Sequence, residues 1–177
     1  MMRPWLMHVV VFLVMAVVGH VAATVAFPRA IMSVAVHRII ETAGGANTLF
    51  HGPRVTPQSQ RIVRPSPDLA YSICVLDLSQ GPVRVRVARG SAYASAAFYV
   101  DNTDNIATLN DRSFGPEGAK LLVLARGMPP RAALGETIVM LPSNKGLLLV
   151  RRLAPTQADF DRVARERAGD QCAVVKS

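Results

Sequence analysis

From Leu6 to Phe27 the chain runs for 22 residues of Val, Leu, Met, Ala, Phe and Gly. Only His8, His20 and Thr24 interrupt it, and it holds no acidic or cationic side chain. As a helix, at about 1.5 Å per residue, the run is about 30 Å long, the thickness of a bilayer's hydrocarbon core. Trp5 stands at its start, where an amphipathic ring suits the headgroup level. Residues 1–28 are therefore expected to form one N-terminal transmembrane anchor. A cleaved signal peptide is the rival reading. Arg3 would supply its positive end, and Val21-Ala22-Ala23 or Thr24-Val25-Ala26 its cleavage site. The run exceeds the usual apolar region of about 7–15 residues. The following "FPRAIMSVAVHRII" also continues a helix rather than opening a mature N-terminus, so the uncleaved anchor is favoured. Arg3 precedes the run while Arg29 and Arg38 follow it, so counting cations does not decide orientation.

The net charge is +8, and within residues 1–27 only Arg3 contributes to it. A surplus of positive charge beside an anchor suits anionic lipid headgroups. The interleaved aromatic and basic residues that stack nucleic-acid bases are missing, which argues against a nucleic-acid partner.

Beyond the anchor, Ile31, Val34, Ala35, Arg38 and Ile39 keep helical spacing, and Gly44-Gly45 supplies a stop. This predicts a juxtamembrane helix over residues 29–45. Residues 46–69 are rich in Pro and short of periodicity, so they read as a linker held against the domain at a few points. From Ala70 the period changes to two. Tyr71, Ile73 and Val75 alternate with Ser72, Cys74 and Leu76, and Val83, Val85 and Val87 alternate with Arg84 and Arg86. "ASAAFYVD", "NIATLN", "AKLLVLAR", "ETIVMLP" and "GLLLVRRL" follow between turn residues. About seven short strands predict a mainly β fold over residues 70–177, a small antiparallel β-sandwich or barrel. Thr156 and Asp159 stand in capping-box spacing before a C-terminal helix whose apolar face is Phe160, Val163, Ala164 and Ala168.

The residues offer little catalysis. Of the four histidines, His8 and His20 lie in the anchor, His37 in the juxtamembrane helix and His51 in the linker. A Ser-His-acid triad in the β-domain is thus excluded unless His51 folds back onto it. Asp101, Asp104 and Asp111 cluster in "DNTDNIATLNDR", but the calcium-loop pattern is absent and Asn and Asp are ordinary turn residues. No catalytic, metal or cofactor motif is found, and the glycine loops "RSFGPEGAK" and "ARGMPP" match no phosphate cradle. Arg84 and Arg86, with Tyr99, Asp101, Asp104 and Asn105, are the candidate ligand-binding set, since paired Arg side chains bind carboxylate or phosphate. The rival reading of the two arginines is a solvated face that protects an edge strand. Cys74 and Cys172 are too few for the usual zinc site and, in an exported domain of this size, read as one disulfide.

"SPDLAYSICVLDLSQGPVRV", "YVDNTDNIATLNDR" and "LPSNKGLLLVRRL" resemble the domain-of-unknown-function family 1254 over roughly residues 60–172. Tyr71, Leu76-Asp77-Leu78-Ser79, Gly81-Pro82, Asp101 and Asn105 carry the likeness. The resemblance implies a short, membrane-anchored bacterial envelope protein, with the β-domain in the periplasm and the N-terminus in the cytoplasm. It implies no reaction and no catalytic residue, and it reads Asp77 to Pro82 as a turn. Larger relatives join this domain to one of family 1214, so a separately encoded family-1214 protein is the expected partner. The apolar strands around Leu121–Leu124 and Leu147–Val150 are its candidate surface, against the reading that both strands are simply buried. The expected role is a binding or interaction module. The alternative is a small-ligand receptor or enzyme with a pocket around Arg84, Arg86, Tyr99 and Asp101.

Overall fold

The computed structural model describes residues 4–56, 65–130 and 132–175. Arg3, and residues 57–64 of the Pro-rich segment, lie outside the described residues. Anchor and juxtamembrane segment form one helix, α1 (Pro4–Ala43), which passes through Pro28 without a break. Proline leaves the carbonyl four residues earlier without its partner. One position on, the Arg29 guanidinium donates to the Val25 carbonyl at 2.9 Å. Gly44 and Gly45, both at positive φ, end the helix, and the Gly45 N–H closes back on the Ile40 carbonyl. At about 1.5 Å per residue α1 is about 60 Å long, twice the apolar core of a bilayer, so its second half stands clear of the apolar run.

Among the described residues nine strands make two sheets. They are β1 (Leu49–His51), β2 (Leu69–Asp77), β3 (Val83–Ala88), β4 (Ala94–Tyr99), β5 (Asn105–Asn110), β6 (Gly118–Ala125), β7 (Thr137–Leu141), β8 (Lys145–Leu153) and β9 (Gln171–Val174). One sheet has the order β1-β2-β8-β4-β5 and the other β7-β6-β3-β9. Their inner faces form one core, with Leu76, Phe98, Leu148 and Val150 against Val83, Val85, Leu121 and Val123. The expected mainly β sandwich with a terminal helix is therefore present.

The strand inventory is larger than the seven expected. β1 lies inside the segment read as a linker, and β9 follows the C-terminal helix. Each is only three or four residues long, too short to show a period. One pairing departs from the antiparallel expectation: β6 and β7 run parallel, with Leu122 opposite Ile138. The chain crosses over between them through residues 126–136, as a parallel pair requires. On α1 the apolar face is also shifted. Ile31 and Val34 point outward, while Met32, Val36 and Ile40 turn toward the sandwich.

The C-terminal helix, α2 (Gln157–Glu166), has its capping box: Thr156 accepts from the Asp159 N–H and Asp159 from the Thr156 N–H. Val163 and Phe160 pack on Ala70 and Ala154. Ala168 lies beyond the helix in a 3₁₀ turn (Arg167–Gly169) and is exposed, so it is not part of that face. Cys74 of β2 and Cys172 of β9 are bonded, with Cα atoms 6.7 Å apart. Because Cys172 sits on a strand, the disulfide joins the two sheets rather than tying the helix to one of them.

A buried ion pair makes a second link between the sheets. Arg152, on β8 and 1 % exposed, donates from Nη1 and Nη2 to the two Asp170 carboxylate oxygens at 2.7 and 2.8 Å. Nη2 also donates to the Ala88 carbonyl, and the Ala88 N–H donates to Asp170. The register places Ala70 and Ala94 on either side of Arg152, and their methyl groups leave room for the guanidinium. Nearby, Arg167 donates to the carbonyls of Tyr71 and Gly52 and lies 5.1 Å over the Phe160 ring. His51 of β1 completes the cluster, with Nδ1 2.8 Å from the Ser72 hydroxyl.

Removing one partner of a buried pair leaves the other charge uncompensated. Asp170→Asn is expected to lower stability by about 3–5 kcal/mol, and Arg152→Met with Asp170→Leu by less than the single change. Urea unfolding in mild detergent, followed by circular dichroism, measures both. A single and a double variant equally destabilised would show that the pair is not what holds this end.

Burial lowers the His51 pKa below its ordinary 6.5; Arg167 and, more weakly, Arg152 add to this, and Asp170 opposes it. As pH falls below about 6.5 the unfolded chain takes up a proton that the folded chain refuses, so folding weakens. Melting temperature should therefore drop more in the wild type than in His51→Gln between pH 7.5 and pH 5. Parallel curves would remove His51 from the acid response.

Candidate functional site

Asn47 fixes where α1 sits. Its N–H donates to the Val75 carbonyl at 2.7 Å, and its side chain donates to the Asp77 carbonyl at 2.7 Å and accepts the Asp77 N–H at 2.9 Å. The residue lies at φ 56°, in the left-handed region that Asn tolerates better than most. This clamp holds the end of the helix against the last residues of β2. The helix then passes the end of the sandwich and encloses a cleft of about 390 Å³.

One wall is a single helix face of Arg29, Met32, Ser33, Val36 and Ile40, at spacings of three and four. The other wall is the end of three neighbouring strands, with Val75 to Asp77, Val100 and Asp101, and Lys145 to Leu147. Pairing sets this wall: Val75 lies opposite Leu147 and Asp77 opposite Lys145. Gly146 stands between them because a Cβ there would come within 2.8 Å of the Leu141 side chain and 3.1 Å of the Tyr99 carbonyl. The Asp77 carboxyl is held below the usual carboxylate range, first by the Ser79 N–H that donates to it, with Lys145 assisting. The Ser79 contact and the Gly81 N–H on the Leu78 carbonyl form the turn expected at Asp77 to Pro82. The cleft thus combines apolar side chains with two cations, Arg29 and Lys145, and two carboxylates, Asp77 and Asp101, in its lining.

The six residues named from sequence are not brought together. Arg84 and Arg86 face outward from the second sheet, since Val83, Val85 and Val87 fill the core. Tyr99 faces outward from the first, alternating with the buried Phe98. A single pocket around Arg84, Arg86, Tyr99 and Asp101 is therefore not formed. Arg84 is engaged with Glu136, whose carboxyl is held low chiefly by that contact. Arg86 lies opposite Lys120, which pairs with Glu117 at 2.7 Å. Asp104 accepts from the Asn102 side chain, and its carbonyl accepts the Val100 N–H, so Asp104 and Asn105 belong to a tight turn and the start of β5. Of the six, Asp101 lines the cleft, and Tyr99 pairs with the cleft residue Leu147.

His51 does fold back onto the β-domain. The histidine and Ser72 do not form a catalytic arrangement, because Ser72 is buried and both Asp170 oxygens are held by Arg152. A second cleft, about 430 Å³, lies around Gly115, Gly118 and Thr137, where the charged groups Glu117 and Lys120 are paired with each other.

Sequence reading missed Arg29, Met32, Val36 and Lys145 as site residues. The helix itself was visible through Ile31, Val34, Ala35, Arg38 and Ile39, but which face of α1 meets the sheet depends on the Asn47 clamp, and Lys145 comes to the cleft through the pairing of β8 with β2.

Comparison with known proteins bears on the fold. The chain resembles the crystal structure of the VPA0106 protein from Vibrio parahaemolyticus, with a TM-score of 0.63 at 16 % identity over 84 % of this chain. It also matches an uncharacterised protein from Burkholderia cenocepacia, with a TM-score of 0.48 at 21 % identity over 80 % of this chain. The chain spans only 35 % and 38 % of those two structures. No curated protein matches it. The family model for proteins of unknown function DUF1254 matches residues 46–173, from the Asn47 clamp through the second cysteine, and the chain belongs to that family.

Proposed function

We propose that this protein is a single-pass protein of the bacterial inner membrane, with its N-terminus in the cytoplasm and its sandwich in the periplasm. Its role is that of a binding module, and its binding site is the cleft beside α1. The observation that carries the reading is the Cys74–Cys172 bond buried between the sheets, because disulfides persist in oxidising compartments. An N-terminal helix long and apolar enough to cross a membrane supports it.

Alkaline phosphatase fused after Ser177 should be active, since that enzyme works only outside the cytoplasm. A silent phosphatase, with a fluorescent cytoplasmic reporter at the same point, would reverse the assignment. Protein taken from the envelope should show no free thiol before reduction. Cys172→Ala should lower stability by up to about 4–5 kcal/mol, the chain-entropy value for a loop of this length. Two reactive thiols in the untreated protein would remove the support for an oxidising compartment.

A second reading concerns a protein partner. That partner is a separately encoded family-1214 chain, as the family resemblance implies. The strand residues Leu121 to Leu124 are buried within this chain and are not the surface for it. Leu147 and Leu149 are half-buried. The exposed apolar residues on that side of the molecule are Ile138 and Met140 of edge strand β7 and Leu134 before it. Ile138→Asp with Met140→Asp should abolish co-purification of a family-1214 protein in mild detergent while leaving the circular dichroism unchanged. Wild-type protein that elutes alone would end the partner reading.

A further inference from the structure

We infer that the cleft between α1 and the sandwich holds a single-chain zwitterionic amphiphile with an amine headgroup, such as a lysophospholipid. This rests on the reading of that cleft as the binding site. Three observations carry it.

The first is position. Arg29, which lines the cleft, lies two residues beyond Phe27, the end of the apolar run, so on the proposed topology this end of the cleft lies where the helix leaves the hydrocarbon layer.

The second is shape. Met32, Val36 and Ile40 share the cleft with Val75 and Leu147 and give it an apolar trough. A volume of about 390 Å³ is near the lower end of the range for small-ligand sites, about 300–1,000 Å³, and suits one acyl chain rather than two.

The third is charge. The cleft lining carries Arg29 and Lys145 together with Asp77 and Asp101. Asp77 is already occupied by Ser79. Arg29 uses Nη1 on its own helix and retains further N–H donors for a phosphate. Asp101 is exposed, and a carboxylate can accept hydrogen bonds from an ammonium. An amphiphile with phosphate alone would meet an uncompensated carboxylate, whereas a phosphate followed by an ammonium matches both signs. A choline group, having no N–H, would lose the hydrogen bond to Asp101.

The test uses the full chain in a neutral detergent and a lysophosphatidylethanolamine with a photoreactive group near the chain end. Labelled peptides should cover residues 32–40 and 145–147. Unlabelled lysophosphatidylethanolamine should compete, while the glycerol and choline forms of the same chain length compete about tenfold less, the loss expected for one hydrogen bond to a charged group. Free phosphoethanolamine should not compete, which separates an amphiphile from its headgroup alone. Val36→Trp, which fills the trough, should abolish labelling. Asp101→Asn, on an exposed turn, should bring the ethanolamine form down to the choline form. Because that change lies outside the core, it keeps the proposal testable if Val36→Trp fails to fold. Labelling confined to residues 5–27 overturns the amphiphile and leaves the topology, which the phosphatase fusion tests separately. Equal competition by the three headgroups, or stronger competition by the glycerol form, overturns the zwitterionic assignment.

Discussion

The Arg152–Asp170 pair is the contact on which the rest of the sandwich is arranged. A guanidinium with almost no exposure is tolerable only if its charge is matched; here both Nη groups are used, while the buried Nε has no hydrogen-bond partner among the described residues. Asp170 supplies both oxygens, and Ala88 closes the network from the other sheet. Meeting those demands fixes where the chain must go after α2: it has to bring Asp170 over the end of β8 and then run beside β3. β9 and the disulfide at Cys172 follow from that path. The terminal helix is thus less an appendage than the connector that delivers an acid and a cysteine to the seam between the sheets.

Asn47 plays the matching part at the other end of the domain. Three hydrogen bonds to β2 make the exit of α1 a fixed joint. The helix is thereby held beside the ends of β2, β4 and β8, and the gap between them becomes a cleft with one helical wall. The helix presents Met32, Val36 and Ile40 to the sandwich, and the charged residues Arg29, Lys145, Asp77 and Asp101 share the cleft lining with them.

Much of this was legible from the chain. The apolar run, the period-two strands from Tyr71 onward, the Gly44-Gly45 stop and the Thr156–Asp159 cap each declare themselves locally, because each depends on neighbours within a few residues. The cysteine pairing was legible for a different reason, since only two are present. The candidate ligand set was not legible in the same way. Arg84 and Tyr99 carry the right chemistry, but strand alternation says only that each faces away from its own core. It does not say that the two faces lie on opposite sides of a sandwich.

The sequence by itself determined the classes of structure: an apolar helix, a β-rich domain of short strands, a capped terminal helix and one disulfide. Hydrophobic period, turn chemistry and capping are local quantities, and they survive without knowledge of the fold. Only the tertiary structure decided the order of strands, the parallel β6–β7 pair, the burial of Arg152 and the return of His51 to the sheet. It also decided that Arg29 and Lys145, more than a hundred residues apart, share one cleft. Those outcomes come from pairing between distant segments, where a three-residue strand such as β1 gains its order from β2 rather than from any pattern of its own.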